Sequence, residues 1–270
     1  MPASPTRSAT ASAMHPASCT TDAFHRGRFF VVQPAGSGHR AGMDAMMLAA
    51  AVPCDFAGRL ADLGAGAGAA ALAVLSRCGQ ARAVLVEREP DMAAFAEKSL
   101  ALAQNAALSA RAEVLVADVT LAGRARQAAG LGDNSFDFAI MNPPFNRGRD
   151  RATPHALKRA AHVMQDDTIE RWLRTATAIV RPRGGLAMIA RPESIGAILA
   201  ALEGRFGAAE IRPIHPRADA MAIRVVVRAV RGARKMPAIA PPLFLHETDS
   251  GGFSPQADAI NNGQGALFGD

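Results

Sequence analysis

The tetrapeptide Asn142-Pro143-Pro144-Phe145 combines an amide, two prolines and an aromatic ring in a spacing suited to recognition of a planar amine. The prolines fix φ twice and remove two N–H donors, so the strand predicted over 136–141 must end in a rigid turn. The Asn142 amide and the carbonyls of this turn can accept hydrogen bonds from an NH₂ group, and Phe145 offers a flat stacking face. An ordinary proline-rich loop is the simpler alternative.

A glycine-rich stretch, Asp62-Leu63-Gly64-Ala65-Gly66-Ala67-Gly68, follows a predicted strand and opens a predicted helix. Glycines in that position allow a tight turn and let a ligand approach the backbone and the helix N-terminus closely. The spacing of Gly64, Gly66 and Ala69 also satisfies the relaxed dinucleotide fingerprint. The stretch therefore predicts a nucleotide-like ligand and leaves a nicotinamide-dependent oxidoreductase open as an alternative.

Alternating strands and helices bring further polar residues to the edge where this loop lies. We predict strands over 60–63, 83–87, 112–117 and 136–141, with helices between them. This order favours a parallel sheet with helices on both faces. Glu87, Asp118 and Asn142 then end consecutive strands, where Glu87 can hold a ribose and Asp118 can accept from an adenine amino group.

The second half of the chain continues the same architecture. Residues 167–170 fit a capping box, so we expect a helix to begin there. Residues 210–214 and 222–230 predict two final strands, and the short connection between them favours an antiparallel edge pair.

Composition limits the classes of protein and partner. The chain has 270 residues, a formal net charge of +6 and a pI near 10.2, which suits one α/β domain and favours a polyanionic partner. Its cysteines, Cys19, Cys54 and Cys78, lack metal-ligand spacing, so we expect no metal site and no disulfide framework. No uncharged apolar run approaches the ~20 residues that cross a bilayer, and the start lacks a secretory signal, so we expect a soluble, cytoplasmic protein with no membrane partner.

Three regions follow from these patterns. We expect a disordered tail over 1–23, a single domain over 24–246 and a flexible tail over 247–270. Within the domain, 24–57 precede the main sheet, and we expect them to gate the substrate and cofactor sites.

The chain resembles the class I S-adenosylmethionine-dependent methyltransferases in its glycine loop, in Glu87 and Asp118, and in the Asn142 tetrapeptide. It is similar in particular to the tRNA1(Val) (adenine(37)-N6)-methyltransferase family. The residues that carry this closer similarity are Gln33-Pro34, the stretch 38–45, the stretch 213–217 and Pro241-Pro242-Leu243. The similarity covers roughly 24–246, and the chain departs from the family pattern at Met43.

The resemblance implies a Rossmann-like, seven-stranded, doubly wound α/β sheet that is mostly parallel, with an antiparallel last strand and a short N-terminal extension. It also implies S-adenosylmethionine as cofactor, bound by Asp62, Gly64, Gly66, Gly68, Glu87 and Asp118. Asn142 and the Pro143 carbonyl would accept the two N–H bonds of the target amine. Phe145 would stack on the base, beside Pro144.

Basic residues surround the expected substrate path. Arg147, Arg149 and Arg151 follow the tetrapeptide, and a second group lies in the C-terminal part at Arg217, Arg224, Arg228, Arg231, Arg234 and Lys235. Such groups can follow an RNA backbone, although any single arginine can also be a solvated surface charge. We therefore expect RNA, in particular tRNA, as the partner, and no obligate protein partner.

Other methyl-accepting groups could bind to the same Asn142 tetrapeptide. Guanine N2 in ribosomal RNA and the amide of a glutamine side chain are also planar NH₂ groups, and Phe145 does not separate them from adenine. A non-catalytic RNA-binding module with the same fold is a further alternative.

Overall fold

The computed structural model describes residues 19–35, 41–144, 155–247 and 251–270, with the backbone alone described over 155–166. In chain order the helices and strands are β1 (Cys19–Phe24), β2 (Phe29–Pro34), α1 (Met43–Ala50), β3 (Arg59–Leu63), α2 (Ala69–Arg77), β4 (Arg82–Glu87), α3 (Pro90–Ala101), α4 (Ala106–Ser109), β5 (Ala112–Val116), α5 (Gly123–Ala128), β6 (Phe136–Met141), α6 (His155–Ile179), β7 (Val180–Ala190), α7 (Ile195–Leu202), β8 (Phe206–His215), β9 (Arg224–Arg231), β10 (Ala238–Ile239), β11 (Leu243–Phe244) and α8 (Pro255–Asn261).

The central sheet has the order β10-β8-β9-β7-β6-β3-β4-β5, with β11 also paired to β8. Strand β9 is antiparallel to both β7 and β8, and the other pairings are parallel. The predicted doubly wound, mostly parallel sheet is therefore confirmed, with β9 as its antiparallel strand, but it has nine strands in place of the predicted seven because β10 and β11 follow β9. The prediction that β8 and β9 form the edge was wrong, because β10 and β11 extend the sheet beyond β8.

Helices cover both faces of the sheet because each carries one apolar side. On one face, buried side chains of α1, α2 and α3, such as Met46, Leu72 and Phe95, join one hydrophobic cluster. On the other, α6 and α7 contribute Leu173 and Ile198 to a second cluster. In the described part of the chain, no helix is both long enough and apolar enough to cross a membrane.

The N-terminal hairpin forms a sheet of its own, which is hydrogen-bonded to α3 and to the residues just after it. Strands β1 and β2 pair antiparallel, so the expectation of a disordered tail was wrong for residues 19–23. Asn105 accepts from Phe30 N and donates to Phe30 O, and Ser99 Oγ accepts from Val32 N at 2.9 Å. On the side of β2 that is not paired with β1, these side chains bind the backbone groups that a neighbouring strand would otherwise bind. The local sequence does not reveal this arrangement.

The C-terminal segment was also predicted wrongly, because 251–270 pack onto the domain. Ser254 caps α8 by accepting from Ala257 N, as a serine before a proline at the first helical position favours. Ile260 and Leu267 are fully buried in the cluster that contains α1, and Leu267 N donates to Ala50 O at 2.7 Å. Apolar burial against a distant helix orders this segment.

Helix α6 begins much earlier than the capping box at Asp167 predicts. It starts at His155, and the stretch from there to Asp167 is rich in alanine, leucine, lysine and arginine, which favour a helix. Asp167 instead pairs with Arg171 at 2.8 Å, one turn further along. The helix therefore reaches back toward the segment that follows Pro144.

Candidate active site

The glycine loop between β3 and α2 adopts a conformation that suits glycine alone. Gly64, Gly66 and Gly68 have φ values of +71°, +56° and +90°, a region that side chains rarely occupy. Gly64 N and Ala65 N both donate to Val86 O, at 2.8 and 3.0 Å, so the turn is fixed to β4. The predicted tight turn is present; Gly64 and Gly68 pack against Trp172 and Leu85, and Gly66 leaves open space beside the backbone.

Two carboxylates at this edge of the sheet accept hydrogen bonds from backbone N–H groups of the loop and of α2. Glu87 Oε2 accepts from Gly66 N at 2.8 Å, and its other oxygen accepts from Glu89 N at 2.9 Å. Asp62 Oδ2 accepts from Ala71 N at 3.0 Å and is 3% exposed. Burial raises the pKa of Asp62 to about 7, the Glu87 charge adds to the rise, and the Ala71 N–H opposes it.

The sheet register places the glycine loop, Glu87 and Asn142 at one level. Leu63, the last residue of β3, pairs with Met141 of β6 and with the residue before Glu87 in β4. Gly64, Glu87 and Asn142 therefore come next on three adjacent strands. Since neighbouring strands lie about 4.8 Å apart, a ligand on the loop would lie beside the Asn142 side chain.

Asn142 and the two prolines directly follow β6, which ends at Met141 as predicted. Asn142 is half-buried, Pro143 is buried and Pro144 is exposed. The Asn142 amide has no hydrogen-bond partner among the described residues, so its oxygen is available as an acceptor. Phe145, Arg147, Arg149 and Arg151 lie outside the described residues, as does the stretch 36–40.

Asp118 lies in a tight turn just beyond β5. Its Oδ1 accepts from Thr120 N at 2.7 Å and from Thr120 Oγ1 at 2.8 Å, and Leu121 N donates to Asp118 O. One carboxylate oxygen is therefore used within the turn. Because Glu87 pairs with Val116 in the register, Asp118 sits two residues beyond the level of Glu87.

Several C-terminal arginines expected to follow RNA make contacts that stabilise the fold. Arg224 pairs with Asp44, and Arg228 pairs with both Glu210 and Asp270. Arg231 donates to Val180 O and to the Asn134 side chain. Strand β9 runs away from the Asn142 edge, so Arg231 and the residues after it lie at the opposite end of the sheet.

Sequence reasoning missed two residues of α6 that support the site. Trp172 was predicted to be a core residue, which its burial confirms, but its ring also lies against the glycine loop at Gly64. Thr175 was overlooked, although a polar residue among Ile169, Leu173 and other apolar positions of one helix face is a recognisable signal. Its hydroxyl donates to the turn that contains Asp118.

The remaining clefts and clusters do not compete with this site. An open cavity of about 410 Å³ lies on the half of the sheet away from Asn142, between Phe138, Gly185 and Arg228. No group of three or more histidine, cysteine, aspartate or glutamate residues in the described ranges is arranged to hold a metal ion.

Comparison with known proteins assigns the chain to a family. The methyltransferase small domain model matches residues 37–212, which include the glycine loop, Glu87, Asp118 and Asn142. The chain belongs to the methyltransferase small domain family. As a methyltransferase of this family, the chain uses S-adenosylmethionine as its cofactor.

Relatives of this methyltransferase differ in their substrates. Two tRNA1(Val) (adenine(37)-N6)-methyltransferases from Porphyromonas gingivalis strains are 30% and 29% identical over 176 residues, which is 63% of this chain. The match spans 65% of those curated relatives, slightly less than two thirds of their length. A predicted O-methyltransferase from Agrobacterium tumefaciens is 46% identical with a TM-score of 0.73, over 83% of this chain and 98% of that one.

A second solved structure shares the fold alone. The 16S rRNA N2 G1207 methyltransferase of Thermus thermophilus, in complex with its methyl donor and guanosine, is 20% identical. Its TM-score is 0.54, over 79% of this chain and 50% of that one.

The site residues of this methyltransferase fit S-adenosylmethionine. At Gly66 the space that a side chain would fill is open among the described residues apart from Met92 Cε, so a ligand can approach the backbone there. Glu87 is 9% exposed and presents a carboxylate at the strand end, where a ribose can be bound. These features match a nucleoside with an amino-acid chain.

Proposed function

We propose that this methyltransferase transfers the methyl group of S-adenosylmethionine to the exocyclic N6 amine of an adenine in tRNA. The observation that carries the proposal is the Asn142 amide, which is held by two prolines at the level of Gly64 and Glu87. This amide has no hydrogen-bond partner among the described residues. A group that can accept from an NH₂ thus lies next to the expected donor site.

The cofactor residues would divide the donor between them. Gly64, Gly66 and Gly68 would surround its methionine portion, and Asp62 would lie near the ammonium group. Glu87 would bind the ribose hydroxyls. The unused oxygen of Asp118 would accept from the adenine amine, because Thr120 occupies only the other oxygen.

The acceptor residues would orient the target nitrogen. The Asn142 side-chain oxygen and the Pro143 carbonyl would each accept one N–H, which aims the nitrogen lone pair out of the amine plane and toward the glycine loop. Bound S-adenosylmethionine supplies an electrophilic methyl group on a sulfonium. Transfer would form an N–C bond as the S–C bond breaks, leaving S-adenosylhomocysteine, and the amine held by Asn142 and Pro143 would then lose one proton to water. Alignment contributes much of the rate, and no strong base is required.

Nitrogen is favoured over oxygen as the acceptor atom. A hydroxyl group carries one proton, whereas the Asn142 side chain and the Pro143 carbonyl would supply two acceptors, which suits an NH₂ group. The Agrobacterium relative is named a predicted O-methyltransferase. We assign the present chain to amine methylation on the strength of this pair of acceptors.

RNA is favoured as the substrate class by the Porphyromonas relatives, whose names specify tRNA and adenine N6. The net charge of +6 also favours a polyanion. A base that is stacked on its neighbours in RNA is not accessible to the site. The target adenine would therefore have to be splayed out of its loop to reach Asn142.

Methyl transfer to separate substrate pools tests the proposal. The purified protein should be incubated with labelled methyl donor and with tRNA, ribosomal RNA or protein, followed by digestion and mass spectrometry of the labelled pool. We expect N6-methyladenosine in tRNA. Label in guanine of ribosomal RNA, or in glutamine of protein, would replace the adenine assignment with one of the other planar amines. Label on oxygen would reject amine methylation.

A further inference from the structure

One face of α6 contacts two separate loops of the donor site. Trp172 lies against Gly64, so the indole supports the glycine loop from below. One turn further along, Thr175 Oγ1 donates to Val119 O at 2.6 Å and lies 3.4 Å from Leu121 O. A single helix thus braces both the loop expected to hold the methionine portion and the turn expected to hold the adenine.

The contact of Thr175 is buried and specific. Thr175 is 3% exposed, and Val119 is 5% exposed. A buried carbonyl that loses its donor pays a desolvation cost, so the hydroxyl stabilises one geometry of this turn. The same turn is closed on its other side by Asp118, which accepts from Thr120. Movement of the Val119 carbonyl would therefore reorient the Asp118 carboxylate.

We infer that Thr175 is a positioning residue for recognition of the donor's adenine. It acts by fixing the turn that aims Asp118. The inference rests on the proposed role of Asp118 and extends it to Thr175, a buried residue of α6 that contacts the Asp118 turn through Val119 O. It is independent of which substrate receives the methyl group.

Helix α6 also contains a matched control. Thr177 Oγ1 donates to Leu173 O at 2.7 Å within the helix itself and touches neither donor loop. A threonine-to-valine change at either position removes one hydroxyl and keeps the side-chain shape. Any difference between the two variants therefore reports the contact with the turn.

The experiment compares two ligands by calorimetric titration. S-adenosylhomocysteine carries the 6-amino group, and S-inosylhomocysteine has an oxygen in its place. We expect Thr175→Val to lower the ratio of their affinities by about tenfold, the loss of one well-placed hydrogen bond. Thr177→Val should leave the ratio unchanged, and Thr175→Ser, which keeps a hydroxyl, should retain it. Thermal melts of each variant confirm folding.

The results with the variants distinguish a wrong Asp118 assignment from a wrong inference about Thr175. An Asp118→Asn variant that keeps the wild-type ratio would reject the Asp118 assignment and the inference with it. If Asp118→Asn lowers the ratio and Thr175→Val does not, the inference alone is rejected. An equal loss of affinity for both ligands in Thr175→Val would show general damage to the site and would also overturn it.

Discussion

The indole ring of Trp172 occupies the space that a side chain on Gly64 would need. Gly64 also has φ of +71°, so both backbone and packing exclude other residues at this position. Trp172 is the only tryptophan in the sequence, which makes its fluorescence a direct reporter of the glycine loop.

We predict that Gly64→Ala raises the dissociation constant for S-adenosylmethionine by at least tenfold, because the loop must shift away from Trp172. Titration followed by Trp172 fluorescence measures the effect. Gly79→Ala is the control, since an added methyl at that position meets no atom within 4 Å. Wild-type affinity in the Gly64 variant would show that the loop geometry does not matter for the donor.

Asn142→Ala should abolish methyl transfer while it leaves affinity for RNA nearly intact. The variant loses the side-chain acceptor of the amine but keeps Pro143 and Pro144, so the turn remains. Misalignment of the nitrogen should lower kcat by about a hundredfold or more. Single-turnover transfer and a filter-binding assay measure the two quantities separately, and unchanged turnover would remove the proposed role of Asn142.

Donor binding should release a proton from Asp62. The pKa of this buried carboxyl is about 7, raised from its ordinary value of 3.8, so much of it is protonated near neutral pH. The ammonium group of bound S-adenosylmethionine would favour the charged form of the Asp62 carboxyl. Affinity for S-adenosylmethionine should therefore increase as pH rises from 5.5 to 7.5. Calorimetry in buffers of different ionisation enthalpy counts the proton, and Asp62→Asn should abolish its release.

A buried histidine should make the fold sensitive to acid. Burial, with smaller contributions from Arg77 and Arg28, lowers the pKa of His25 from 6.5 to about 4. Its Nδ1 lies 2.6 Å from Ser76 Oγ, and its Nε2 is buried without a partner among the described residues. Protonation thus favours the unfolded chain.

The free energy of unfolding should fall by up to about 3 kcal/mol as pH drops from 6.5 to 4, and the fall should stop below pH 4. Urea denaturation across this range tests it. His25 has φ of +49°, a conformation that asparagine tolerates, so His25→Asn should flatten the profile. An equally steep profile in that variant would assign the acid sensitivity to other groups.

Leu267→Ala should destabilise the protein by about 2–5 kcal/mol, although it lies near the end of the chain. Leu267 is fully buried in the cluster that includes α1. Met221→Ala is the control, because Met221 is 89% exposed and its truncation should change stability by less than about 0.5 kcal/mol. Urea unfolding of both variants decides whether the C-terminal segment belongs to the folded domain.

The sequence predicts the parallel core well because its signals are local. Strand β4 was expected over 83–87 and is Arg82–Glu87, and β6 was expected over 136–141 and is Phe136–Met141. Since parallel strands end at one edge, the shared level of Gly64, Glu87 and Asn142 follows from the order of elements.

The errors arise where distant contacts decide the structure. The pairing of Arg228 with Glu210 and Asp270 depends on the fold of segments far apart in the chain. Sequence alone cannot distinguish such an arginine from one that meets RNA. The contact of Thr175 with Val119 is missed for the same reason.

The N-terminal hairpin and α8 meet in the fold although they lie far apart in the sequence, and this affects how the domain is made. Arg26 in the N-terminal hairpin pairs with Asp258 in α8 across 232 positions of sequence. During synthesis, the side of α1 that Leu267 covers stays exposed until the segment 251–270 has been made. We expect this methyltransferase to complete its core only once that segment has left the ribosome, and its nascent form to expose apolar surface to chaperones until then.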